Sequence, residues 1–542
     1  MFKIALSFAF ILIFFQAFSQ PLTIAESSNF ESTSTEKDVN DFIQKITKHS
    51  SVVRVETMAV STEGRAIPLL IIADPMVKSP AKLATDKRVV LYIQANIHAG
   101  EVEGKEASLM FARDLISGKK KEVLKNVIVL ICPNFNPDGN EAISIKNRTY
   151  QNGPRNGVGL RYNGQMLDIN RDAMKLETPE MSGLLKNVLL MWDPQLMVDC
   201  HTTNGSYHEE PVTFTWMMNP AGDRSLTDFM EKQMMPEVSE TLRNEYKTDN
   251  CFYGEFIDMK TPEKGWEYSA AEPRYLTNYI GVRNRLAILN ENYVYADYQS
   301  RVLGCYRLLH SIADYAANHA AEIKELIRTA DQKTIDRGLN PAPTDSFPVC
   351  YTGKPIQEKV TIKTFEVDVI TNSEGRETYR KSDRKKTVQV PYIARYEATK
   401  SDKFPFAYLF NVSDPMVINL LRKHGIQVSQ LTGSQTFDLE TFKLNELKAE
   451  SRLNQGHYNQ TASGVWTKVQ MEFKAGTFVI RTAQPLANIA SYLLEPQSND
   501  GLMTWNFLDR YLLPQWGRGF NQYPVYKIQK RVIIEDTVLP SR

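Results

Sequence analysis

Three side chains that can bind a metal follow two apolar runs of the sequence. His98 and Glu101 come shortly after the run 89–93, and His201 ends the run 196–201. Imidazole and carboxylate both bind zinc at about 2.0–2.2 Å, and three protein ligands with one open position are typical of catalytic zinc. Apolar runs of this length predict buried strands, and open α/β sheets bind ligands beyond the carboxyl ends of their strands. We therefore expect one zinc site at a sheet edge.

The same spacing occurs a second time, at His319 and Glu322. This pair lies in the stretch 298–326, whose apolar residues have helical spacing. Residues three apart on a helix share one face, which is most often solvated. We expect this second pair to have a structural role only.

Polar residues near the predicted strand ends could complete an active site. Asn170 and Arg171 could hold a carboxylate together, because a guanidinium group is a planar fork that matches it. Arg148 could face developing negative charge, and Glu291, just beyond the apolar run 286–289, could act as a general base. Taken singly, the same residues could be a turn asparagine, surface arginines and a salt-bridged glutamate.

The elements that must position these residues alternate between strand and helix. Such alternation predicts an α/β fold with a mixed, mainly parallel sheet flanked by helices. After residue 346 the pattern changes to half-buried alternation with one short helix, which predicts a smaller α+β domain. The predicted strands are 52–60, 67–72, 89–98, 127–132, 196–199, 286–289, 359–370, 386–396, 405–410 and 427–430, and the predicted helices are 36–49, 103–115, 298–326 and 415–424.

The chain divides into four predicted segments. Residues 1–19 read as a secretory signal peptide, with one positive charge, a short apolar core and a small-x-small cleavage site. A catalytic domain over 36–335, a Gly- and Pro-containing linker over 336–346 and an accessory domain over 347–542 follow. No later run is long enough to span a bilayer, so the mature protein is expected to be exported, periplasmic or secreted, without a membrane anchor.

Charge and cysteine content exclude two protein classes. The 64 basic and 63 acidic residues give a net charge of +1, which argues against nucleic acid as a partner. Five cysteines are an odd number and are sparsely placed, so the chain is not a disulfide scaffold and at least one thiol is free or bonded elsewhere. Cys132 and Cys200 lie in apolar runs and are expected to be buried thiols.

Taken together and in order, these motifs resemble the zinc carboxypeptidases of the carboxypeptidase A type. The resemblance covers roughly residues 36–325, and the stretch 484–506 is similar to the tail of large bacterial members. The motifs that carry it are Ser61-Thr62-Glu63-Gly64-Arg65, His98 with Glu101, Asn136-Pro137-Asp138-Gly139, Asp168-Ile169-Asn170-Arg171, Asp199-Cys200-His201 and Glu291.

The resemblance implies a role for each matching residue. His98, Glu101 and His201 would bind one zinc ion, and Asp168 would orient His98. Asn170 and Arg171 would bind the substrate's terminal carboxylate. Glu291 would take a proton from a zinc-activated water and pass it to the leaving amine.

Two positions match the family less clearly. Arg148 would polarise the scissile carbonyl, although Arg155 and Arg161 lie in the same loop. A tyrosine that covers the site is best matched by Tyr268, with Tyr275 and Tyr279 nearby. Gly100 stands where digestive members carry an arginine, so the resemblance does not extend to the substrate contact that this arginine makes in those enzymes.

The sequence therefore predicts an exported zinc metallocarboxypeptidase that hydrolyses the C-terminal amide bond of peptides with a free carboxylate. Three alternatives remain at this stage: a peptidoglycan stem-peptide amide hydrolase, a non-catalytic protein that binds peptide ends, and a small-molecule deacylase. The patterns do not indicate the preferred terminal residue or the oligomeric state.

Overall fold

The computed structural model describes residues 20–412 and 414–540. The predicted signal peptide, residues 1–19, lies outside this range. Among the described residues, no helix has both the length and the apolar character needed to cross a membrane.

The N-terminal part of the chain builds one large sheet and most of the helices. Its strands are β1 (Val53–Val60), β2 (Ala66–Ile72), β3 (Val89–Ala95), β4 (Val127–Cys132), β5 (Leu196–Thr203), β6 (Val212–Trp216), β7 (Asn250–Phe252), β8 (Glu255–Phe256), β9 (Trp266–Glu267) and β10 (Leu286–Tyr293). Its helices are α1 (Ile24–Ser27), α2 (Glu36–Thr47), α3 (Glu103–Ile116), α4 (Pro137–Glu141), α5 (Pro179–Leu184), α6 (Arg224–Phe229), α7 (Met235–Asn244), α8 (Leu276–Val282), α9 (Tyr298–Asn318) and α10 (Ala320–Leu339).

The large sheet has eight strands in the order β1-β2-β4-β3-β5-β10-β6-β7. Its four central strands, β4, β3, β5 and β10, are parallel. Strands β1 and β2 pair antiparallel with their neighbours, whereas β6 pairs antiparallel with β10 and parallel with β7. Every residue of β3, β4 and β5 is buried, which explains their continuous apolar runs. The mixed, mainly parallel sheet flanked by helices agrees with the fold class predicted from the sequence.

Strand register brings the predicted site residues to one edge of the sheet. Glu291 of β10 is the register partner of His201 of β5. On the other side of β5, Cys200 pairs with Ala95, the last residue of β3. His98 follows three residues after Ala95, so both histidines and Glu291 lie at the carboxyl ends of adjacent parallel strands.

Several elements differ from the sequence-based prediction. Strands β5 and β10 each continue four residues further than predicted, because polar residues at their ends keep the pairing. The predicted helix from 298 is divided at His319 into α9 and α10. Helix α10 runs to Leu339, so the first part of the predicted linker is helical. Gly338 allows this close packing, since a Cβ there would lie 2.1 Å from the Thr482 carbonyl oxygen.

The C-terminal part forms a second, seven-stranded sheet with adjacent helices. The order of that sheet is β16-β15-β18-β13-β17-β14-β19. Its strands and the preceding long hairpin are β11 (Ser346–Thr371), β12 (Glu377–Lys403), β13 (Ala407–Phe410), β14 (Ser429–Leu431), β15 (Gln435–Ala449), β16 (Gln460–Phe473), β17 (Phe478–Arg481), β18 (Val525–Ile528) and β19 (Asp536–Val538). The helices are α11 (Pro415–Lys423), α12 (Ala487–Leu494) and α13 (Asp509–Leu512).

The two parts of the chain share a sheet. The long hairpin β11–β12 pairs through β12 with β9, in the order β11-β12-β9-β8. Residues 346–403 are therefore joined to the N-terminal part by backbone hydrogen bonds, which the sequence pattern did not predict.

Candidate active site

The three predicted metal ligands converge. Nδ1 of His201 lies 3.2 Å from Nδ1 of His98 and 3.0 Å from Oε2 of Glu101, and the third separation, His98 Nδ1 to Glu101 Oε2, is 3.2 Å. Tetrahedral coordination at about 2.0–2.1 Å places ligand atoms about 3.3 Å apart. The donor set therefore fits one zinc ion, although two imidazoles and a carboxylate also suit cobalt or nickel.

A carboxylate stands behind each imidazole. Asp168 Oδ1 lies 2.9 Å from His98 Nε2, and Asp199 Oδ2 lies 3.0 Å from His201 Nε2. The second contact is off the N–H direction, so these two atoms lie close together without an aligned hydrogen bond. Such carboxylates orient a ligand imidazole and leave its other nitrogen free for a metal. The structure thus places Asp168 where its predicted role requires.

The charged groups around Glu101 and Asp168 keep both carboxyl groups ionised. Burial opposes ionisation of Glu101, but His98, Arg148 and His201 outweigh it and hold the pKa of this carboxyl well below its usual range. Burial likewise opposes ionisation of Asp168, whose pKa is nevertheless far below its usual value because of His98 and nearby arginines. Both carboxylates therefore remain negative and attract a cation.

Glu291 borders the same cavity, which has a volume of about 260 Å³. Burial raises the pKa of Glu291 above its ordinary value; His201 opposes this shift and Glu101 adds to it. A bound divalent cation would act in the opposite direction, since it stabilises nearby negative charge. Glu291 therefore lies beside the candidate metal ligands, which is the position that a general base requires.

The turn after β3 is built to present His98 and Glu101. Asn96 adopts a left-handed conformation with φ of 65°, and its side-chain amide donates to Asn134 Oδ1 at 2.7 Å. Gly100 allows the loop that carries Arg148 to approach, because a Cβ at this position would lie 2.6 Å from Arg148 Cδ. This close contact explains why glycine, and not the arginine of the digestive enzymes, stands at this position.

Arg148 is held by three protein groups. Its guanidinium donates to Glu101 Oε1, to the Thr202 carbonyl oxygen and to Gln151 Oε1, each at 2.8 Å. This arrangement fixes the metal-binding carboxylate and leaves Arg148 less available for a substrate carbonyl than the sequence suggested.

Arg161 is the more open of the arginines that border the cavity. It donates to Asp168 Oδ2 at 2.8 Å, lies 3.5 Å from Glu101 and remains about one third exposed. Arg155, the other sequence candidate, is 80% exposed and faces Glu31 at 3.8 Å, outside the cavity. The structure therefore reduces the three candidates to Arg148 and Arg161.

Asn170 and Arg171 lie together on a short helical turn at the cavity wall. Asp168 caps this turn by accepting from the Asn170 backbone N–H at 3.0 Å. Asn170 Oδ1 accepts from the Leu276 N–H at 3.0 Å, which fixes the amide, and the Arg171 guanidinium lies 4.4 Å from the centre of the Tyr275 ring. The pair is thus held ready for an anionic group.

Two of the three candidate tyrosines border the cavity. Tyr268 and Tyr275 line it, and the Tyr268 carbonyl accepts from the Tyr396 hydroxyl at 2.6 Å. Tyr279 is fully buried, and its hydroxyl contacts His424 Nδ1 at 2.7 Å, so it does not cover the site.

A residue of the C-terminal domain also reaches the site. Gln455, in the turn between β15 and β16, accepts from the Asp168 N–H at 2.7 Å. His457 of the same turn lies 2.9 Å from Glu177. Sequence reasoning missed Gln455, because nothing local distinguishes a turn glutamine that contacts a residue 287 positions away. Asp199, also missed as an orienting residue, was visible as the residue two before His201.

This site, with its buried ligand triad and adjacent carboxylate at the edge of an α/β sheet, defines a metallohydrolase. Residues 39–186 match a family model described as zinc carboxypeptidase. The protein named Carboxypeptidase 2 of Trichophyton rubrum is 19% identical over 531 residues, covering 95% of this chain and 90% of that protein. Its namesake in Trichophyton equinum is 19% identical over 547 residues. Both comparisons indicate a zinc metallocarboxypeptidase, with the family match lying in residues 39–186.

Similar solved structures have low identity to this chain. A metallo-carboxypeptidase from Burkholderia cenocepacia is 16% identical with a TM-score of 0.38, covering 52% of this chain and 69% of that one. Carboxypeptidase A from Helicoverpa armigera is 17% identical with a TM-score of 0.39, covering 53% of this chain and 75% of that one.

Proposed function

We propose that this protein is exported and removes single residues from the C-terminus of peptides, with Glu291 as general base. The observation that carries the proposal is the convergence of His98, Glu101 and His201 beside Glu291 in one cavity, which Asn170 and Arg171 also line. Export rests on the signal-peptide pattern of residues 1–19.

Asn170 and Arg171 bind the C-terminal carboxylate of the peptide substrate in this proposal. A carboxylate placed against them accepts charge-assisted hydrogen bonds from the guanidinium, and the Asn170 amide adds a neutral donor. The Tyr275 ring beside Arg171 supports the guanidinium plane from one side. An internal peptide bond offers no such anion, so this pair selects the terminal residue.

Hydrolysis requires an electrophile, a base and a way to stabilise developing negative charge. His98, Glu101 and His201 would hold a zinc ion, which would supply Lewis acidity and make the attacking water more acidic. Glu291 takes the proton from the attacking water and returns it to the amine that leaves. Arg161, with Arg148 behind it, offers positive charge to the carbonyl oxygen as it becomes an oxyanion.

The proposal is tested with pairs of peptides that differ only in a free or amidated C-terminus. The zinc-loaded protein should release one amino acid at a time from the free acids and act about 10- to 150-fold more slowly on the amides, because a charged hydrogen bond is lost. A chelator should abolish release and zinc should restore it. Equal rates on both peptides would refute recognition of the terminal carboxylate.

The residue released identifies the specificity of the cavity. If zinc binds but none of the linear peptides is cleaved, purified cell-wall stem peptides are the next substrates, and their cleavage would move the assignment to the alternative amide hydrolase.

A further inference from the structure

A second group of metal-binding side chains lies outside the catalytic cavity. His208, Glu210 and Cys251 each offer one donor atom, and these atoms all lie within 4.8 Å of one another. The three side chains are only 4%, 3% and 6% exposed. His208 and Glu210 are two residues apart in a segment that bridges to Thr364, so they present their side chains to the same side. Cys251 lies on β7.

Two polar atoms of this group lack a hydrogen bond among the described residues. His208 Nδ1 and Glu210 Oε2 are both buried without a partner, and the 3.6 Å between them is too long for a hydrogen bond. A cation between them would satisfy both atoms. Donors of tetrahedral zinc lie about 3.3–3.7 Å apart, so the observed separation already matches.

We propose that His208, Glu210 and Cys251 form a second zinc site in this protein. Thiolate, imidazole and carboxylate together suit zinc, whereas calcium and magnesium prefer sets of oxygen ligands. Cys251 binds as the thiolate, so its proton is released to solvent on binding. A water molecule completes the tetrahedron.

The position of the site lets a bound ion link two segments of the chain. Glu210 uses its other oxygen, Oε1, to accept from the Lys363 N–H of β11 at 3.0 Å, and the Glu209 N–H donates to the Lys363 carbonyl at 2.8 Å. A metal held by His208, Glu210 and Cys251 therefore ties the segment beside β11 to β7. The same segment follows Thr203 and Asn204, which line the catalytic cavity.

Cobalt(II) is the probe that separates the two sites. Cobalt bound to a thiolate gives a near-ultraviolet charge-transfer band, and the catalytic ligands contain no sulfur. The full chain carrying Cys350→Ser, which removes the exposed thiol, is depleted of metal under reducing conditions and titrated with cobalt. We expect two equivalents to bind, with the thiolate band fully developed by one of them. Binding of a single equivalent without the band overturns the proposal.

Matched variants assign the band to its residues. Cys251→Ser should lose the band and one equivalent, whereas Cys132→Ser, which removes another buried thiol, should keep both. A band that persists in Cys251→Ser overturns the proposal. Glu101→Gln should weaken binding of the cobalt equivalent that gives no thiolate band and leave the band itself unchanged. Loss of the catalytic site can thus be distinguished from loss of the second site.

One measurement needs no substitution at the proposed ligands. X-ray absorption of the zinc-loaded chain carrying only Cys350→Ser should show a sulfur neighbour at about 2.3 Å for half of the bound zinc. Nitrogen and oxygen neighbours alone would overturn the proposal even if Cys251→Ser fails to fold.

Discussion

At the scale of single residues, the site brings two carboxyl groups, those of Glu101 and Glu291, into one cavity. Glu291 lies beside His201 in strand register, and Glu101, whose carboxylate is held ionised, is close to both. Two carboxylates in one cavity can take different roles when their surroundings separate their pKa values. In the proposed mechanism, Glu101, which Arg148 holds, binds the cation, and Glu291 transfers the proton.

Replacement of Glu291 tests this division of roles. Glu291→Gln should lower kcat by about 10²–10⁴-fold, because general-base catalysis is lost, while KM and zinc content stay near those of the parent. Steady-state kinetics and metal analysis measure the effect. Glu255→Gln is the matched control, since Glu255 is another glutamate that lines the cavity, and it should retain most activity. Equal losses in both variants would contradict the assignment.

Replacement of Arg171 tests the carboxylate site. Arg171→Gln keeps a polar side chain but loses the charged fork, and a charged hydrogen bond contributes about 1.5–3 kcal/mol. We expect kcat/KM for free-acid peptides to fall about 10- to 150-fold, with little change for amidated peptides. Arg155→Gln, in an exposed arginine of a nearby loop, should leave both rates unchanged. A uniform loss on both peptide types would indicate a structural defect instead.

At the scale of elements, one buried ion pair joins helix α9 to helix α3, and its arginine also holds the loop that carries the other arginines. Arg301 and Glu103 are both fully buried, with Nε and Oε1 2.6 Å apart. Arg301 also donates to the carbonyl oxygens of Asn152 and Gly153 at 2.8 Å. Glu103 in turn accepts from the Thr202 hydroxyl. The pair therefore positions the strand end next to His201 as well as the loop.

Loss of one partner of this pair should be costly. Arg301→Met leaves Glu103 buried and unpaired, so the free energy of unfolding should fall by about 3–5 kcal/mol. Thermal or urea denaturation measures the change. The double variant Glu103→Gln with Arg301→Met should recover part of the loss, because the unpaired charge is gone.

An exposed ion pair provides the comparison for this prediction. Arg328 on α10 pairs with Glu325 while both side chains are more than 60% exposed. Arg328→Met should change stability by no more than about 0.5 kcal/mol. If Arg301→Met is as mild as Arg328→Met, the buried pair does not hold the elements together.

At the scale of the whole molecule, the C-terminal domain supports the catalytic domain through buried contacts. His424, at the end of α11, accepts from the Tyr279 hydroxyl at Nδ1, 2.7 Å away, and donates from Nε2 to the Met174 carbonyl at 3.1 Å. Burial lowers the pKa of His424 to about 3; the Met174 hydrogen bond opposes this shift, and Arg283 and Lys423 add to it. The imidazole is therefore neutral in the folded protein.

This histidine predicts loss of stability in acid. Below about pH 6.5 the unfolded chain protonates His424, but the folded chain does not until about pH 3, so stability falls as the pH falls through this window. Between about pH 7.5 and about pH 5 the loss from His424 should reach about 2 kcal/mol. Urea denaturation at both values measures it.

Two variants isolate the contribution of His424. His424→Gln can keep both hydrogen bonds without titrating, so it should lose about 2 kcal/mol less than the parent on the same acidification. His319→Gln, at a partly exposed histidine on the surface, should follow the parent. Identical pH dependence in the parent and His424→Gln would refute the prediction.

The sequence by itself determined the fold class and predicted the candidate metal ligands. Strands buried on both faces must be apolar, so β3, β4 and β5 stand out as continuous runs, and side chains that follow such runs reach a common edge. That argument located His98, Glu101 and His201 without a structure. It also separated them from the His319 and Glu322 pair, whose contact lies on the surface.

Only the tertiary structure decided contacts between distant parts of the chain. It showed that Arg155 lies outside the cavity, that Tyr279 is buried against His424, and that Gln455 reaches Asp168. It also joined the long hairpin β11–β12 to the catalytic domain. Periodicity reports whether a residue is buried but not which neighbour buries it, because that choice depends on the packing of elements hundreds of residues apart.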